Sequence, residues 1–226
     1  MTPVATYHCP VGGKFGLPRQ SGVAPELQGS VTLEPAFKDA NALRGLEEFD
    51  FIWLLWGFSE NRDDKWRPTV RPPRLGGNAR MGVFATRSPY HPNAIGLSCV
   101  KVERVDFQNC VIYVSGADLA DGTPVYDIKP YLSYADSHPD ARCGFVSDQE
   151  WSTLEVEFPE DLRKRMSAED VSALTQLLSQ DPRPHYQDSP GRVYSLLFGP
   201  YDVKFKVEDG LLSVLSLEDP RPGISG

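Results

Sequence analysis

Three segments of this sequence hold residue types that could bind a charged small molecule. The first is Leu17-Pro18-Arg19-Gln20, in which a proline stiffens the backbone before an arginine and an amide. A guanidinium and a neighbouring amide can together hold a carboxylate or a polar heterocycle. An ordinary exposed loop has the same composition, and chemistry alone favours that simpler interpretation.

The second segment, residues 66–96, is rich in arginine, proline and glycine. Residues 65–101 hold seven basic side chains and no acidic one, although the whole chain has a net charge of −8. Prolines limit the entropy that arginines lose on binding, and glycines let a ligand approach the backbone closely. The segment lacks both the phosphate-binding P-loop and the dinucleotide-binding glycine pattern. We interpret it as an anion-binding surface; the alternative is a basic loop that only links strands.

The third segment, residues 118–131, carries three carboxylates and one lysine. Asp121-Gly122 is a turn signal, and we predict that this turn sets Asp118 and Asp127 on neighbouring chain segments. Carboxylates in such a place would suit a sulfonium, a ribose diol or an exocyclic amine. A hairpin with aspartates in its turn has the same composition, so both interpretations stay open.

Other common catalytic patterns are missing from the sequence. The four histidines lie far apart, and no Cys/His cluster has the spacing of metal ligands, so we expect no catalytic metal. Ser88 is not part of a Gly-x-Ser-x-Gly elbow. Cys9 precedes a proline and could be a nucleophile, although a buried structural cysteine is the commoner case. A hydrolase that uses Cys9 or Ser88 is therefore the least supported hypothesis.

The cysteines and the apolar stretches indicate where the protein works. The four cysteines show neither a Cys-x-x-Cys pair nor the spacing of a disulfide framework, so we expect reduced thiols. Residues 1–12 lack the features of a signal peptide. The longest apolar stretch, residues 49–58, contains Asp50 and is shorter than a membrane span requires. These observations predict a cytoplasmic protein without a membrane partner.

Up to about residue 145 the pattern favours short strands. Strand-like segments bounded by Gly, Pro or Asn occur at residues 29–34, 49–58, 81–86, 97–105 and 110–115. In this half, only residues 39–46 look helical. Many short strands with turns between them predict a barrel or a sandwich. Because strands and helices do not alternate, a doubly wound sheet is unsupported.

After Ser147 the pattern changes to that of a small α+β unit. Ser167 and Asp170 resemble a helix cap, and apolar residues follow at helical spacing over residues 171–178. Asp181-Pro-Arg-Pro184 should end this helix. Three strand-like runs follow at residues 193–198, 202–207 and 211–217. Asp209-Gly210 predicts a tight turn between the last two.

At its three chemical segments the chain resembles the TsaA-like (TrmO) family of tRNA methyltransferases. The match runs almost without gaps from about residue 4 to residue 140. Its motifs are Lys14-Phe15, Pro18-Arg19-Gln20, Arg44-Gly45-Leu46-Glu47, residues 66–88, Pro92-Asn93, Ile95-Gly96, Asp121-Gly-Thr-Pro124 and Asp127-Ile-Lys-Pro-Tyr131. The C-terminal part matches weakly except at Asp181-Pro-Arg-Pro184 and Tyr186. A motif set of this length is far more specific than a lone glycine fingerprint.

The resemblance implies a β-barrel enzyme that uses S-adenosylmethionine and works as a homodimer. Members of the family methylate N6 of threonylcarbamoyladenosine, which lies beside the tRNA anticodon. We therefore expect a mainly β protein, with a β-barrel cofactor-binding domain over residues 1–146 and a small α+β domain over residues 147–226.

The resemblance also implies which residues form the site. The expected cofactor-binding residues are Pro18, Arg19, Gln20, Glu60, Asn61, Arg87, Leu97, Asp118, Leu119, Ala120 and Asp121. For the tRNA we assign basic and aromatic residues of the matched motifs: Arg67, Arg71, Arg74, Arg80, Lys129, Tyr131 and Arg183. Asp121 and Asp127 are the candidates for a general base that removes the proton of the acceptor nitrogen, and the substrate's own carboxylate is the alternative.

Methyl transfer from a sulfonium is an in-line displacement, for which a protein mostly supplies alignment and electrostatics. We expect Arg19, Gln20 and Arg87 to hold the cofactor, and Trp66 or Tyr90 to stack on a base. The alternative is a non-catalytic module that senses S-adenosylmethionine or a related nucleotide and binds a protein partner. A steep salt dependence of tRNA affinity would favour the enzyme.

Overall fold

The computed structural model of this chain describes residues 1–13, 16–58, 66–72, 75, 79–146, 153–183 and 191–219. The strands within these ranges are β1 (Ala5–His8), β2 (Val11–Gly12), β3 (Gln28–Leu33), β4 (Phe51–Gly57), β5 (Thr69–Val70), β6 (Met81–Gly82), β7 (Ile95–Asp106), β8 (Val111–Ser115), β9 (Thr123–Pro130), β10 (Glu155–Glu157), β11 (Tyr194–Phe198), β12 (Tyr201–Glu208) and β13 (Leu211–Glu218). The α-helices are α1 (Ser133–Asp136), α2 (Glu160–Arg163) and α3 (Ala168–Ser179). No helix in these ranges has the length and hydropathy needed to span a bilayer.

Six strands close into a barrel in the order β1-β3-β8-β7-β4-β9, and each strand is antiparallel to its neighbours. Alternation along β4 explains how the barrel is filled, because Ile52, Leu54 and Trp56 point inward while Phe51 and Trp53 face outward. The predicted mainly β class and barrel are confirmed, and so are the strands expected around residues 29–34, 49–58, 97–105 and 110–115.

The C-terminal part forms a second hydrophobic core around a five-stranded sheet of order β10-β13-β12-β11-β2. Helix α3 packs its apolar residues into this core, including Leu174, Leu177 and Leu178. The Ser167 side chain accepts a hydrogen bond from the Asp170 amide at 3.0 Å, so the predicted helix cap is confirmed.

The turn between β12 and β13 is also confirmed. Asp209 and Gly210 both have positive φ, at 50° and 82°, the conformation that a two-residue hairpin turn of this type requires. An aspartate tolerates this region better than most residues, and glycine adopts it without strain.

Two local predictions differ from the structure. Residues 39–46 do not form one helix: two short 3₁₀ turns, Ala40–Leu43 and Leu46–Glu48, are separated by Gly45 at a φ of 86°. The strand expected at residues 81–86 covers only Met81–Gly82 and is followed by the 3₁₀ turn Val83–Ala85. The Thr86 amide and hydroxyl both donate to the Val83 carbonyl, which favours the turn over an extended chain.

The turn predicted at Asp121-Gly122 is present, with Gly122 at a φ of 75°, but it does not form the hairpin that was the alternative interpretation of residues 118–131. Strand β9, which follows this turn, pairs with β1 and β4, whereas β8 before it pairs with β3 and β7. The turn therefore carries the chain across the end of the barrel, and Asp118 and Asp127 do not lie opposite each other on paired strands. A turn signal shows that the chain reverses but does not name the partner strand.

A link between the two cores has no counterpart in the sequence patterns. Residues 9–27 leave the barrel after β1, and within them β2 pairs with β11 of the C-terminal sheet, Val11 with Phe198 and Gly12 with Leu197. Val11, Ala24 and Leu27 are fully buried in the C-terminal core. We call residues 9–27 the bridging segment, since it belongs to the barrel by sequence and to the second core by packing.

Candidate functional site

The bridging segment brings Pro18, Arg19 and Gln20 to the place where the two cores meet. It is held to the barrel by a hydrogen bond of 2.7 Å from the Gly22 amide to the Gly116 carbonyl. It is held to the C-terminal part by the burial of residues on both sides of the motif. Pro18 itself is buried, while Arg19 and Gln20 are partly exposed. The proline thus anchors the backbone and leaves the two polar side chains within reach of a ligand.

Arg87 contacts this motif. The family resemblance had assigned Arg87 and the motif to the same expected site. Its Nη1 donates to Gln20 Oε1 at 2.7 Å, and Gln20 Nε2 donates to the Arg19 carbonyl at 2.7 Å. Arg87 follows the 3₁₀ turn Val83–Ala85, so the basic segment and the bridging segment are joined directly. The pair presents guanidinium N–H groups at an exposed edge, where they could bind a carboxylate.

Asp118 lies on the barrel side of the same region, and a chain of hydrogen bonds from side chains of the barrel strands holds its carboxylate. Ser98 Oγ donates to Asp118 Oδ1 at 2.5 Å, and Trp56 Nε1 donates to Ser98 Oγ at 2.9 Å. Burial raises the pKa of Asp118, and this effect outweighs the hydrogen bond from Ser98 and the positive charge of Arg87, which both lower it. The carboxylate is therefore close enough to Arg87 to feel its charge, and it protonates more readily than an exposed aspartate.

Asp121 lies at the rim of the barrel next to the end of β1. Its Oδ1 accepts a hydrogen bond from the Cys9 amide at 3.2 Å and lies 3.2 Å from His8 Nδ1. Both side chains of the His8–Asp121 pair are about half exposed, with relative accessibilities of 51%. Asp121 can therefore contact a ligand or a substrate from solvent without first breaking a buried ion pair.

The Cys9 thiol is unsuited to nucleophilic chemistry. It points at the carbonyls of Val11 and Leu119, at 3.8 and 3.7 Å. Burial, opposed by the Val11 contact, raises the pKa of this thiol to about 11. A thiol with this pKa stays protonated at neutral pH, which counts against a hydrolase that uses Cys9.

Tyr7 fills the barrel beneath Cys9. A Cβ atom on Gly29 would lie 2.3 Å from the Tyr7 hydroxyl, so only glycine leaves room for this ring. Burial chiefly raises the pKa of the Tyr7 phenol, helped by Cys9 and by the charges of Asp118 and Asp121. The Tyr7 phenol therefore remains protonated and uncharged beside Asp118 and Asp121.

The other predicted cofactor residues fall into three groups. Leu119 and Ala120 are buried between Asp118 and Asp121, and their backbone shapes the loop. The Leu97 side chain is 52% exposed on the outer face of β7, because its neighbour Ser98 takes the inward position. Glu60 and Asn61 lie outside the described residues.

Asp127, the second candidate base, lies in a different part of the molecule. It forms an ion pair with Lys129 at 2.7 Å and lines a cavity of about 600 Å³. The walls of that cavity include Leu33, Arg44 and Phe49, and none of the described cofactor candidates contributes to them. The structure therefore groups Asp121, but not Asp127, with Asp118.

The predicted tRNA-binding residues are spread over several surfaces. Arg67 lies over the Tyr90 ring at 4.4 Å, which occupies one face of that ring, and Arg80 Nη1 donates to Thr69 Oγ1 at 3.4 Å. Arg71 is exposed, whereas Arg74 lies outside the described residues.

Two other predicted tRNA-binding residues, Tyr131 and Arg183, lie in places unlike those of the exposed arginines around β5 and β6. Tyr131 packs against the rings of Phe51 and Trp53, on the outside of the barrel. Arg183 is only 18% exposed and pairs with Asp181. Among the described residues no group of three or more His, Cys, Asp or Glu side chains could hold a metal ion.

Sequence reasoning missed Ser98 and Asp181, which contact Asp118 and Arg19, and it missed Trp56, which holds Ser98. Ser98 had a detectable signal, because it is a polar residue at an inward position of an otherwise apolar strand face. Asp181 was assigned to the end of α3 and to a motif shared with the family, but to no role in the site. The contact of its backbone with Arg19 spans 162 positions and leaves no local pattern.

Comparison with known proteins identifies relatives over the whole length of the chain. The family model of the tRNA-methyltransferase O N-terminal domain matches residues 6–137, and that of the TrmO C-terminal domain matches residues 152–222. A tRNA (adenine(37)-N6)-methyltransferase of Escherichia coli K12 is 38% identical, over 96% of this chain and 97% of that protein. A putative S-adenosylmethionine-dependent methyltransferase, RcsF of Pseudomonas aeruginosa, is 44% identical over 84% of both chains.

Solved structures agree with this result. Two crystal structures of TrmO from Pseudomonas aeruginosa superpose on the chain with TM-scores of 0.77 and 0.78, at 34% and 33% sequence identity. The first covers 97% of this chain and 98% of its own, the second 96% of each. Both the barrel and the C-terminal part are included in these matches, and the chain belongs to the tRNA-methyltransferase O (TrmO) family.

Proposed function

We propose that this chain transfers a methyl group from S-adenosylmethionine to N6 of adenosine 37 in tRNA, and that the acceptor is N6-threonylcarbamoyladenosine. The proposal rests on family membership together with one structural observation. Arg87 connects the Arg19–Gln20 motif to the charge of Asp118, so residues from three distant parts of the sequence surround one small region. We propose the cytoplasm as the compartment.

The polar groups of this region fit the chemistry of S-adenosylmethionine. That molecule carries a carboxylate and an ammonium group at one end, and a ribose diol and an adenine at the other. The guanidinium groups of Arg19 and Arg87 suit a carboxylate, and the Gln20 amide suits an adenine edge. Asp118 and Asp121 suit a ribose diol or a positive charge. When bound, S-adenosylmethionine would supply a methyl group on a positively charged sulfur.

The task left to the protein is to hold both reactants and to accept one proton. The threonylcarbamoyl group withdraws electrons from the acceptor nitrogen, which weakens it as a nucleophile and makes its N–H more acidic. Asp121 is the better placed base, because it is exposed and lies in the same loop as Asp118. Asp127 is already paired with Lys129 in a separate cavity.

The tRNA would be held by the basic segment. Arg67, Arg71 and Arg80 are exposed on the loops around β5 and β6, close in sequence to Arg87. Trp66 is 53% exposed and could stack on a base of the anticodon loop. Bases in a loop are already partly unstacked, so extracting one costs less free energy than in a duplex.

The outer face of β4 and β7 supports the proposed homodimer. Leu55 lies opposite Leu97 on this face, and Trp53 lies opposite Cys99. Ile95 and Leu97 are 39% and 52% exposed, which leaves a contiguous apolar surface on the barrel. A second copy of the chain would bury this surface, and Leu97 with it.

Purified protein incubated with S-adenosylmethionine and tRNA tests the function directly. Mass spectrometry of the nucleosides should show methylated threonylcarbamoyladenosine. A control tRNA from cells that cannot attach the threonylcarbamoyl group should give no methylated product. Equal methylation of both tRNAs would refute the proposed acceptor. Binding of S-adenosylmethionine without any product, with tRNA affinity insensitive to salt, would instead indicate a sensor module.

A further inference from the structure

The turn that ends α3 makes a second, unpredicted contact with the candidate cofactor site. Arg19 Nη2, in the bridging segment, donates to the Asp181 carbonyl oxygen at 3.2 Å. Asp181 has a φ of 52°, and its amide donates to the Leu178 carbonyl at 3.2 Å, so it ends α3 in the left-handed conformation common at helix C-termini. One of the two arginines proposed to hold the cofactor is thus bound to the C-terminal part of the chain.

Arg183 holds this turn in shape. Its Nε donates to Asp181 Oδ1 and its Nη2 to Asp181 Oδ2, both at 2.8 Å, and its backbone amide also reaches Oδ1 at 3.3 Å. A bidentate arginine–carboxylate pair fixes orientation as well as charge. Both side chains are largely buried, with relative accessibilities of 18% for Arg183 and 29% for Asp181. Solvent therefore screens this pair less than it screens the exposed ion pairs of the surface.

The electrostatics of the turn also involve Arg19. Burial alone would raise the pKa of Asp181, but the hydrogen bonds and charge of Arg183, with the charge of Arg19, lower it below its usual value. Burial lowers the pKa of Arg19, and the negative charge of Asp181 opposes this effect. The ionised Asp181 therefore stabilises two guanidinium groups at once, one on each side of the boundary between the two cores.

Further contacts restrict the bridging segment on both sides of Arg19. A Cβ atom on Gly16 would lie 2.0 Å from Leu196, so the backbone lies directly against β11. The Glu26 amide donates to Gln176 Oε1 of α3 at 3.1 Å. The C-terminal part thus surrounds the segment that carries the motif, and the Asp181 turn contacts its functional side chain.

From these contacts we propose that Asp181 and Arg183 are positioning residues for cofactor binding, and that the C-terminal part of the chain acts by fixing the Arg19 guanidinium. This inference rests on the proposed function, because it assumes that Arg19 contacts S-adenosylmethionine. It replaces the sequence-based assignment of Arg183 to tRNA binding with a role inside the protein. The two roles predict different losses, of cofactor affinity in one case and of tRNA affinity in the other.

A double-mutant cycle measured by calorimetry tests the proposal on the full chain. S-adenosylhomocysteine, the stable product of the donor, is the probe for wild type, Arg19→Ala, Asp181→Asn and the double variant. Asp181→Asn keeps the backbone, tolerates the positive φ and removes the charge that Arg183 and Arg19 need. We expect roughly three- to tenfold weaker binding for Asp181→Asn, and a double variant that binds no more weakly than Arg19→Ala alone.

Two further variants separate positioning from general stability. Asp202→Asn removes a comparable, largely buried partner of Lys204 in the same C-terminal sheet, far in sequence from the bridging segment, and should leave probe affinity unchanged. Arg183→Lys keeps the charge without the bidentate fork, and should fall between wild type and Asp181→Asn. Thermal unfolding without ligand shows whether each variant is folded.

The outcomes that overturn the proposal are distinct from those that overturn the function. If wild type does not bind the probe, the proposed function itself fails and the inference fails with it. If wild type binds and Asp181→Asn binds equally well, the positioning role is refuted while the function stands. Additive losses in the double variant, or an equal loss for Asp202→Asn, would also refute it, because Asp181 would then not act through Arg19.

Discussion

The two halves of the candidate site are supported in contrasting ways. On the barrel side, Asp118 is held by Ser98 and Trp56, which are 1% and 7% exposed and lie on adjacent strands. On the opposite side, Arg19 and Gln20 are held by groups from a loop and from a distant turn. One half is thus fixed by the regular geometry of a sheet, and the other by contacts between remote parts of the sequence.

This contrast indicates which half of the site is rigid and which half can adjust to a ligand. A hydrogen bond between buried groups in a low-dielectric interior holds its geometry strongly, and breaking it leaves an unsatisfied donor or acceptor. The Arg87–Gln20 hydrogen bond is exposed, so these two side chains can exchange partners with water at little cost, whereas the Asp181 turn holds Arg19. The barrel side is therefore suited to align reacting atoms, and the Arg87–Gln20 pair to admit and release a ligand.

The largest expected effect is on catalysis from the barrel side. Asp121→Asn removes the proposed base while keeping the size of the side chain and its contact with the Cys9 amide. We expect kcat to fall by about 10²-fold, the low end for loss of a general base. Single-turnover methylation of threonylcarbamoyl-modified tRNA measures this.

Asp127→Asn is the matched comparison for that variant. It removes a carboxylate of the same segment that is bound to Lys129 in the separate cavity. If kcat falls strongly in Asp127→Asn while Asp121→Asn turns over normally, Asp127 is the base. That result would contradict our grouping of Asp121 with Asp118.

The next effect is on cofactor affinity from the opposite side. Arg87→Ala removes the guanidinium that joins Gln20 to the charge of Asp118. Loss of a charge-assisted hydrogen bond to the cofactor should weaken binding by about 1.5–3 kcal/mol, measured by calorimetry. Because Arg87 is exposed, thermal stability should hardly change. Arg104→Ala, which removes an arginine over Tyr113 outside the site, is the control and should bind normally.

A smaller effect, on stability as well as binding, is expected for Ser98→Ala. The change leaves the Trp56 N–H and one Asp118 oxygen without their partner, and should lower the free energy of unfolding by about 1–2 kcal/mol. Ser115→Ala is the matched control, since the Ser115 hydroxyl donates to Glu103 at 2.6 Å and not to Asp118. Chemical denaturation should show a loss in both variants, and cofactor affinity should fall only in the first.

The same variant makes a prediction about pH. The pKa of Asp118 is raised by burial, and only ionised Asp118 attracts the positive charge of Arg87, so cofactor affinity should fall as the pH drops through this raised pKa. The Ser98 hydrogen bond lowers the pKa of Asp118, so its removal should raise that pKa and move the loss of cofactor affinity to higher pH. Tyr7 and Asp121 also face this group, but neither changes in the variant. An unshifted profile would contradict the role of Ser98.

The smallest effect lies outside both halves. Arg71 is exposed on the loop after β5, and Arg71→Ala should reduce tRNA affinity by about 0.5–1 kcal/mol and lower the salt slope by about one. Cofactor affinity should stay unchanged. Lys206→Ala, on the C-terminal sheet and paired with Glu208, should alter neither quantity. Filter binding at several salt concentrations distinguishes the two variants.

The contrast between the two halves also explains what the sequence could predict. The inward and outward alternation of β4 and β7 is a local pattern, so β3, β4, β7 and β8 were predicted closely, and the cap at Ser167 located α3. The barrel strands β1 and β9 were not predicted. The family resemblance supplied Arg19, Gln20 and Arg87 together. The turn at Asp121-Gly122 was predicted correctly, but the placement of Asp127 beside Asp118 was wrong, because the pairing of β9 with β1 is a choice between distant partners that the turn itself does not encode.

Contacts across the molecule were out of reach for the same reason. Strand β2 has two residues, too few for any periodicity, and its identity as a strand depends on β11. Asp181 shows an analogous dependence, since its carbonyl acquires a role only when Arg19 lies beside it. Short elements whose partners are remote carry their information in the partner, not in their own residues.

The pairing of β2 with β11 has a consequence for how the protein is made. It joins positions about 185 residues apart, so the ribosome must synthesise most of the chain before Gly12 can meet Leu197. The six barrel strands end at Pro130 and can close much earlier. The proposed cofactor site is therefore completed late in biosynthesis, and a nascent chain interrupted before β11 would carry a barrel whose bridging segment lacks its partner strand.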